Sequence, residues 1–223
     1  MDDVDISDIL ASVSAPPIDP RVLDLQALTR AWINERTSPD LLPYPTDLID
    51  RANNGIKRQI ETIEDMTGSR DPSKNFTLVI LQTELERMKF LVRSYLRARI
   101  AKIDTFPIHY RSQFLQTEAD DQPLLSTLEA QYLEAHQSLL AQHYHASFLS
   151  LFPQGLQRMD DASGGVTMID RPDEDKAVFC RVLRDCYVER PPYGTVDLAR
   201  GDIWLLRWST IADRVKRGDV ELV

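Results

Sequence analysis

The stretch Glu84-Leu-Glu-Arg-Met-Lys-Phe-Leu-Val-Arg-Ser-Tyr-Leu-Arg-Ala-Arg-Ile-Ala-Lys-Ile-Asp104 decides the fold. Leu81, Leu85, Met88, Val92, Leu96 and Ile103 recur at steps close to 3.6 residues and draw one apolar stripe along a helix. Phe90, Leu91, Tyr95 and Ile100 widen that stripe. A helix that faces a single core needs an apolar arc of roughly 100°. This one has more, with charges wedged between the apolar positions. Such a helix sits at the centre of its domain or is shared with other subunits.

Caps and prolines set its neighbours. Asp71-Pro72 opens the long helix, which runs to about Asp104, ahead of Phe106-Pro107. Upstream, Asp19-Pro20 starts a helix that continues through Leu25, Leu28, Trp32 and Ile33. Ser38-Pro39 predicts a short helical turn over Asp40-Leu41-Leu42, ended by Pro43 and Pro45. A third helix begins near Thr46, places Leu48, Ile49, Ala52, Ile56, Ile60 and Ile63 on one side, and is closed by Gly68. A further helix after Ser126 carries Leu128, Tyr132, Leu139, Leu140 and Phe148, and stops at Pro153.

The character then changes. Residues 154–176 hold Gly155, Gly164-Gly165, Pro172 and many acids, and read as a linker. Val178 to Leu183, Tyr187-Val188, Val196 to Leu198 and Ile203 to Trp208 are short strand-like runs. Arg200-Gly201-Asp202 predicts a hairpin turn, Thr210 to Arg217 a short helix closed by Gly218, and Val220 to Val223 a last strand. The expected class is mainly α: a helical domain over 18–153, then a β-rich domain over 177–223. A domain that small has a limited core and needs docking to stay folded.

Residues 1–17 read as a disordered tail, acidic at first, then rich in Ser, Ala and Pro. Within it, Ile6, Ile9 and Leu10 share a helical face, with Asp5 and Asp8 on the other side. A helix this short is marginal in water and would fold only on a partner. A solvated tail with chance hydrophobes is the competing reading.

Composition narrows the function. The 223 residues carry 26 Lys and Arg against 35 Asp and Glu, a net charge of −9. Proteins that hold duplex DNA by neutralising phosphates usually carry a positive excess. No apolar run is long enough to span a bilayer, and the acidic start lacks the features of a secretion signal. Cys180 and Cys186 form neither a disulfide framework nor a complete zinc site, so a reducing compartment is the default. His136, His143 and His145 share one helix without the i, i+4 pair and nearby carboxylate of helical zinc sites, and read as structural or surface histidines. The chain holds no Gly-rich phosphate loop, no GxSxG and no HExxH. Arg93, Arg97, Arg99 and Lys102 form a basic cluster near the end of the long helix. It reads as a phosphate patch or, preferably, as interface ion pairs with acidic partners.

Three segments carry a resemblance. Ala31-Trp-Ile-Asn-Glu-Arg-Thr-Ser-Pro-Asp-Leu-Leu42, the long helix from Glu84 to Ile103, and Ile203 to Ala212 followed by Gly218 to Val223 together resemble the Sld-five family, the fourth subunit of GINS, in its fungal form. The resemblance implies a helical A domain before a small β-rich B domain. It implies a nuclear, non-catalytic scaffold without cofactor or metal, in a heterotetramer with three Psf-type subunits. That tetramer joins the MCM ring and Cdc-forty-five in the replicative helicase and helps connect the leading-strand polymerase. Asp5-Ile-Ser-Asp-Ile-Leu10 resembles the peptide by which fungal Sld-five docks on the Ctf-four hub, with Ser12 and Ser14 where acids commonly follow. On this reading Trp32, Tyr95, Leu96, Arg99 and Ile103 lie in the A-domain core or at a subunit interface, and the B domain docks around Val220 and Leu222. A helical nucleic-acid-binding module is the alternative, with DNA contact otherwise weak or indirect.

Overall fold

The computed structural model describes residues 19–67, 72–116, 123–158, 168–190 and 194–223. Helix α1 (Pro20–Thr37) opens with Asp19 as its cap, the carboxylate accepting from the Arg21 N–H at 2.9 Å. Helices α2 (Thr46–Thr67) and α3 (Pro72–Thr105) follow. At 34 residues, α3 is about 50 Å long. Leu28 of α1, Ile49 and Ala52 of α2, and Leu91, Val92 and Tyr95 of α3 form the first core. These are the periodic positions of the three sequences, so the 3.6-residue repeat is what brings the helices together.

Helix α4 (Pro107–Gln116) was not visible as a separate element in the periodicity. Pro107 at its start resets the chain direction after α3. Helix α5 (Thr127–Ser147) begins with a capping box, in which Ser126 Oγ accepts from Glu129 N–H and the Glu129 carboxylate accepts from Ser126 N–H at 2.9 Å. Leu41, Ile103, Tyr110, Leu125 and Leu133 make a second core where α3, α4 and α5 meet. Short 3-10 turns at Leu149–Leu151 and Gln154–Leu156 follow α5.

The C-terminal part contains β1 (Ala177–Val182), β2 (Cys186–Arg190), β3 (Gly194–Leu198), β4 (Ile203–Arg207), α6 (Trp208–Arg217) and β5 (Val220–Leu222). An antiparallel sheet has the order β4-β1-β5, and β2 pairs with β3 in a separate ribbon. Alternation along β1 sends Val178, Cys180 and Val182 inward onto α6, and Phe179 and Arg181 outward. Gly218, at φ +77°, ends α6: its N–H reaches Val215 O, and Asp219 N–H reaches Arg214 O.

Three local expectations change. The segment 38–45 is irregular rather than a helical turn, because its polar groups are claimed by other partners: Ser38 Oγ donates to Asp40 O, and Leu41 N–H donates to Asp40 Oδ1. Arg200-Gly201-Asp202 is not a hairpin turn. β3 and β4 belong to different sheets, and Gly201, at φ +96°, hands the chain from one to the other while its N–H bonds Val182 O. Helix α6 starts at Trp208, two residues before the expected Thr210. The Gly68 cap and the N-terminal segment with Asp5, Ile6, Asp8, Ile9 and Leu10 lie outside the described residues.

Candidate assembly surfaces and the ion network behind them

Arg99 is the centre of the helical domain. It is wholly buried, 0% exposed, as is Glu35 of α1. All five of its N–H groups are used. Nε donates to Glu129 Oε1 at 2.7 Å and Nη2 to Glu129 Oε2 at 3.1 Å. Nη1 donates to Glu35 Oε2 at 3.1 Å and to Leu42 O at 2.7 Å, and Nη2 also to Leu124 O at 2.7 Å. Tyr44 and Tyr95 flank the guanidinium, 5.2 and 5.7 Å from it to their ring centroids. One turn on, Lys102 Nζ donates to Glu35 Oε1, Ser38 Oγ and Asp40 O at 2.7–2.8 Å. Tyr110 OH adds a bond to Asp40 Oδ1 at 3.2 Å.

Burial alone would discharge these groups. It does lower the Lys102 pKa, with Glu35 opposing the shift. For Arg99 the penalty of burial is outweighed by the Glu129 hydrogen bond and by Tyr95, Glu35 and Glu129, so its pKa moves up. The network ties α1, α3, the base of α5 and two loops to one cation. It is a fastening device; the small cavity beside it, lined by Asn34, Glu35, Leu42 and Tyr95, reaches only Glu35 among the network's charged groups.

This corrects the basic cluster. Arg99 and Lys102 face inward onto the chain's own Glu35 and Glu129, not toward acidic partners or phosphate. Arg93 is exposed and bridges to Glu86, itself paired with Lys89, so only Arg93 and Arg97 reach solvent. The sequence reading missed Glu35, Glu129 and the two carbonyls. Glu35 lies inside the quoted Trp-Ile-Asn-Glu run, and the Ser126-x-x-Glu129 box is a sequence-level signal.

Of the other singled-out residues, Tyr95 and Ile103 are buried, and Leu96 packs half-buried against the first core. Trp32 is half-buried, edge-on to Phe90 at 6.3 Å, with the Arg36 guanidinium 5.5 Å from its centroid. Val220 and Leu222 are buried in β5, at the seam between the two domains. There Asn34 Oδ1 accepts from Leu222 N–H at 2.7 Å, and Arg30 pairs with Glu221 at 3.3 Å. Arg181 holds the same Glu221 from the other side. Leu42 completes the seam. Its side chain belongs to the C-terminal core with Val178, Leu206, Trp208 and Val215, while its carbonyl is held by Arg99.

The histidines stay apart. His136 stacks on Tyr132 at 5.8 Å, while His143 and His145 are exposed. Among the described residues no three His, Cys, Asp or Glu side chains converge as a metal site would require. Burial raises the Cys180 and Cys186 thiol pKa values, which suits small core residues rather than nucleophiles.

What remains is apolar surface. Helix α5 buries Glu129, Leu133 and Gln137, and turns Leu128, Tyr132 and Leu139 outward. Leu128 is 75% and Leu139 66% exposed. Tyr144, Phe148 and Phe152 continue this surface as a ladder of rings 5.9 and 6.1 Å apart. On α3, Phe76, Val79 and Ile80 form a second exposed apolar row at helical spacing, and Phe90 stands exposed further along, beyond Thr83 and Arg87. Contiguous apolar rows of this kind on a well-packed chain mark protein–protein contact.

The architecture thus defines a class: a helical bundle with a small appended β domain, built around an internal ion network and bearing open apolar helix faces, as subunits of larger assemblies do. The description "GINS complex protein helical bundle domain" matches residues 53–148, and "DNA replication complex GINS protein SLD5 C-terminus" matches residues 172–223. The "DNA replication complex GINS protein SLD5" of Chaetomium globosum is 49% identical over 226 residues, covering 99% of this chain and 100% of its own. Its Schizosaccharomyces pombe counterpart is 38% identical over 204 residues, covering 90% and 92%. The Arabidopsis thaliana protein is 32% identical over 208 residues, covering 90% and 91%. The chain belongs to the SLD5 family of DNA replication complex GINS proteins.

Proposed function

We propose that this chain is a non-catalytic scaffold subunit of a heterotetrameric GINS complex, with three Psf-type subunits as its partners. Within the nucleus, that complex joins the MCM ring and Cdc-forty-five as part of the replicative helicase and links indirectly to the leading-strand polymerase. The family match supports the assignment. The observation that carries the mechanism is the pair of open apolar rows on α3 and α5, set against an interior that is already packed and ion-paired. Binding energy comes from covering those rows, and the surrounding charges select the partner.

Co-expression tests the reading. Native mass spectrometry of the chain with three Psf-type subunits is expected to give one particle of equal stoichiometry, and the chain alone is expected to be poorly soluble. A monodisperse monomer that ignores the three partners would sink the proposal. The N-terminal segment adds a second contact, with Asp5, Ile6, Asp8, Ile9 and Leu10 as the peptide that docks on the Ctf-four hub. Ile9→Ala combined with Leu10→Ala is expected to abolish hub capture in a pull-down while leaving the four-subunit particle intact. Undiminished capture would reject the docking role.

A further inference from the structure

The two edges of the three-stranded sheet are treated differently. On the β5 side, the chain covers itself: Asn34 of α1 accepts from Leu222 N–H, and Arg30 reaches Glu221. On the β4 side, no described residue pairs with the strand. In an antiparallel ladder, opposed residues alternate between hydrogen-bonded and non-bonded pairs. Val182 N–H bonds Asp202 O and Trp208 N–H bonds Lys176 O, so Trp204 and Leu206 turn their backbone groups toward β1. The N–H and C=O groups of Ile203 and Leu205 and the N–H of Arg207 therefore line the open edge, while the Arg207 carbonyl, at the cap of α6, serves the helix.

Proteins usually blunt such an edge with proline, a bulge or inward charge. Ile203-Trp-Leu-Leu-Arg207 has none of these before its last residue. The adjoining outer face is apolar as well. Phe179 is 59%, Ile203 65% and Leu205 55% exposed, and Phe179 lies opposite Leu205 in the register. Arginines frame this patch. Arg181, opposite Ile203 in the register, stands at one end in a pair with Glu221, and Arg207 stands at the other, in an exposed pair with Asp175.

From this geometry we infer that β4 accepts an added strand: an extended segment of another subunit of the assembly, apolar at alternate residues and acidic at its ends. The alternate apolar side chains would lie on Ile203, Leu205 and Phe179, the backbone would satisfy the open edge, and the acids would meet the arginine frame. A second copy of this chain fits less well. Two-fold pairing of β4 with β4 about Leu205 would bring Arg207 of one copy within two strand spacings, about 10 Å, of Arg181 of the other, at both ends. The inference rests on the assembly reading above and names one contact within it.

Residue-resolved hydrogen exchange on the reconstituted four-subunit particle tests it without any substitution. Amides of Ile203, Leu205 and Arg207 are expected to exchange at least tenfold more slowly than open-chain rates, alongside Trp204 and Leu206, which β1 already protects. Open-chain exchange at the three odd positions, with protection at the two even ones, would overturn the added strand even if the patch is covered in another way. Leu205→Pro gives an independent reading. Its N–H points away from β1, so the proline removes no ladder bond within the domain but blocks a neighbour strand. The variant is expected to lose the protection at Ile203 and Arg207 and to weaken subunit retention at least tenfold. A particle of unchanged dissociation and exchange would count against the inference. A wild-type chain that never enters a particle would remove the assembly reading with it, whereas one that assembles with fast odd-numbered amides removes the strand alone.

Discussion

Replacing Arg99 by alanine is expected to cost the assembled particle about 3–5 kcal/mol of stability, the usual penalty for removing one partner of a buried ion pair. The reason lies in what stays behind. Glu35 and Glu129 remain buried without their shared cation, and the carbonyls of Leu42 and Leu124 lose their donors. Lys102 keeps its bond to Glu35 but does not reach Glu129 in this geometry. For a chain of this size the loss corresponds to a drop in melting temperature on the order of 10 °C, measured at fixed subunit concentration because association shifts the apparent midpoint. Arg99→Lys is expected to recover only part of it. Its ammonium has three donors on a flexible stem where the planar guanidinium uses five. A melting curve for Arg99→Ala that overlays the wild type would show that the network contributes nothing net.

The second large effect belongs to α5. Leu128→Asp combined with Leu139→Asp places two charges on a face that the chain leaves open, so its own core is not disturbed. If partners cover that face, each carboxylate is stripped of water without a counter-charge, and the subunit affinity is expected to fall at least 100-fold, about 2.7 kcal/mol. Size-exclusion chromatography of the co-expressed subunits should then show three partners without this chain, while circular dichroism of the variant keeps its helical signal. An intact four-part particle carrying both aspartates would mean that this row is not an interface.

The helices were legible because their apolar residues repeat at a fixed period. Ile49, Ala52 and Ile63 on α2, and Leu85, Val92 and Ile103 on α3, are buried where the spacing places them. Periodicity identifies an apolar face but not what covers it. On α5 the spacing picks out Leu128, Tyr132 and Leu139, which stay exposed, whereas the residue that finds a core within the chain is Leu133, about 140° around the helix from Leu128. The charged residues were harder still. Arg93, Arg97, Arg99 and Lys102 look alike in sequence, and the turn between consecutive residues sends two to solvent and two into the interior. Which carboxylate meets Arg99 depends on contacts 64 and 30 positions away, which no local spacing records. In the C-terminal domain, strand patterns gave the strands, but the pairing of β4 with β1 rather than β3 is a choice of topology that alternation does not encode.

The joint between Asn34 and Leu222 spans 188 positions. During synthesis, α1 leaves the ribosome long before the strand that seals it exists, and the leucine at position 42 waits without the hydrophobic pocket that will later enclose it. Closing so wide a loop is entropically slow, and exposed apolar segments in such intermediates invite misassociation. The nascent helical half therefore has a window of vulnerability set by translation time. A chaperone, or a fellow subunit already waiting, has most to gain by acting within it.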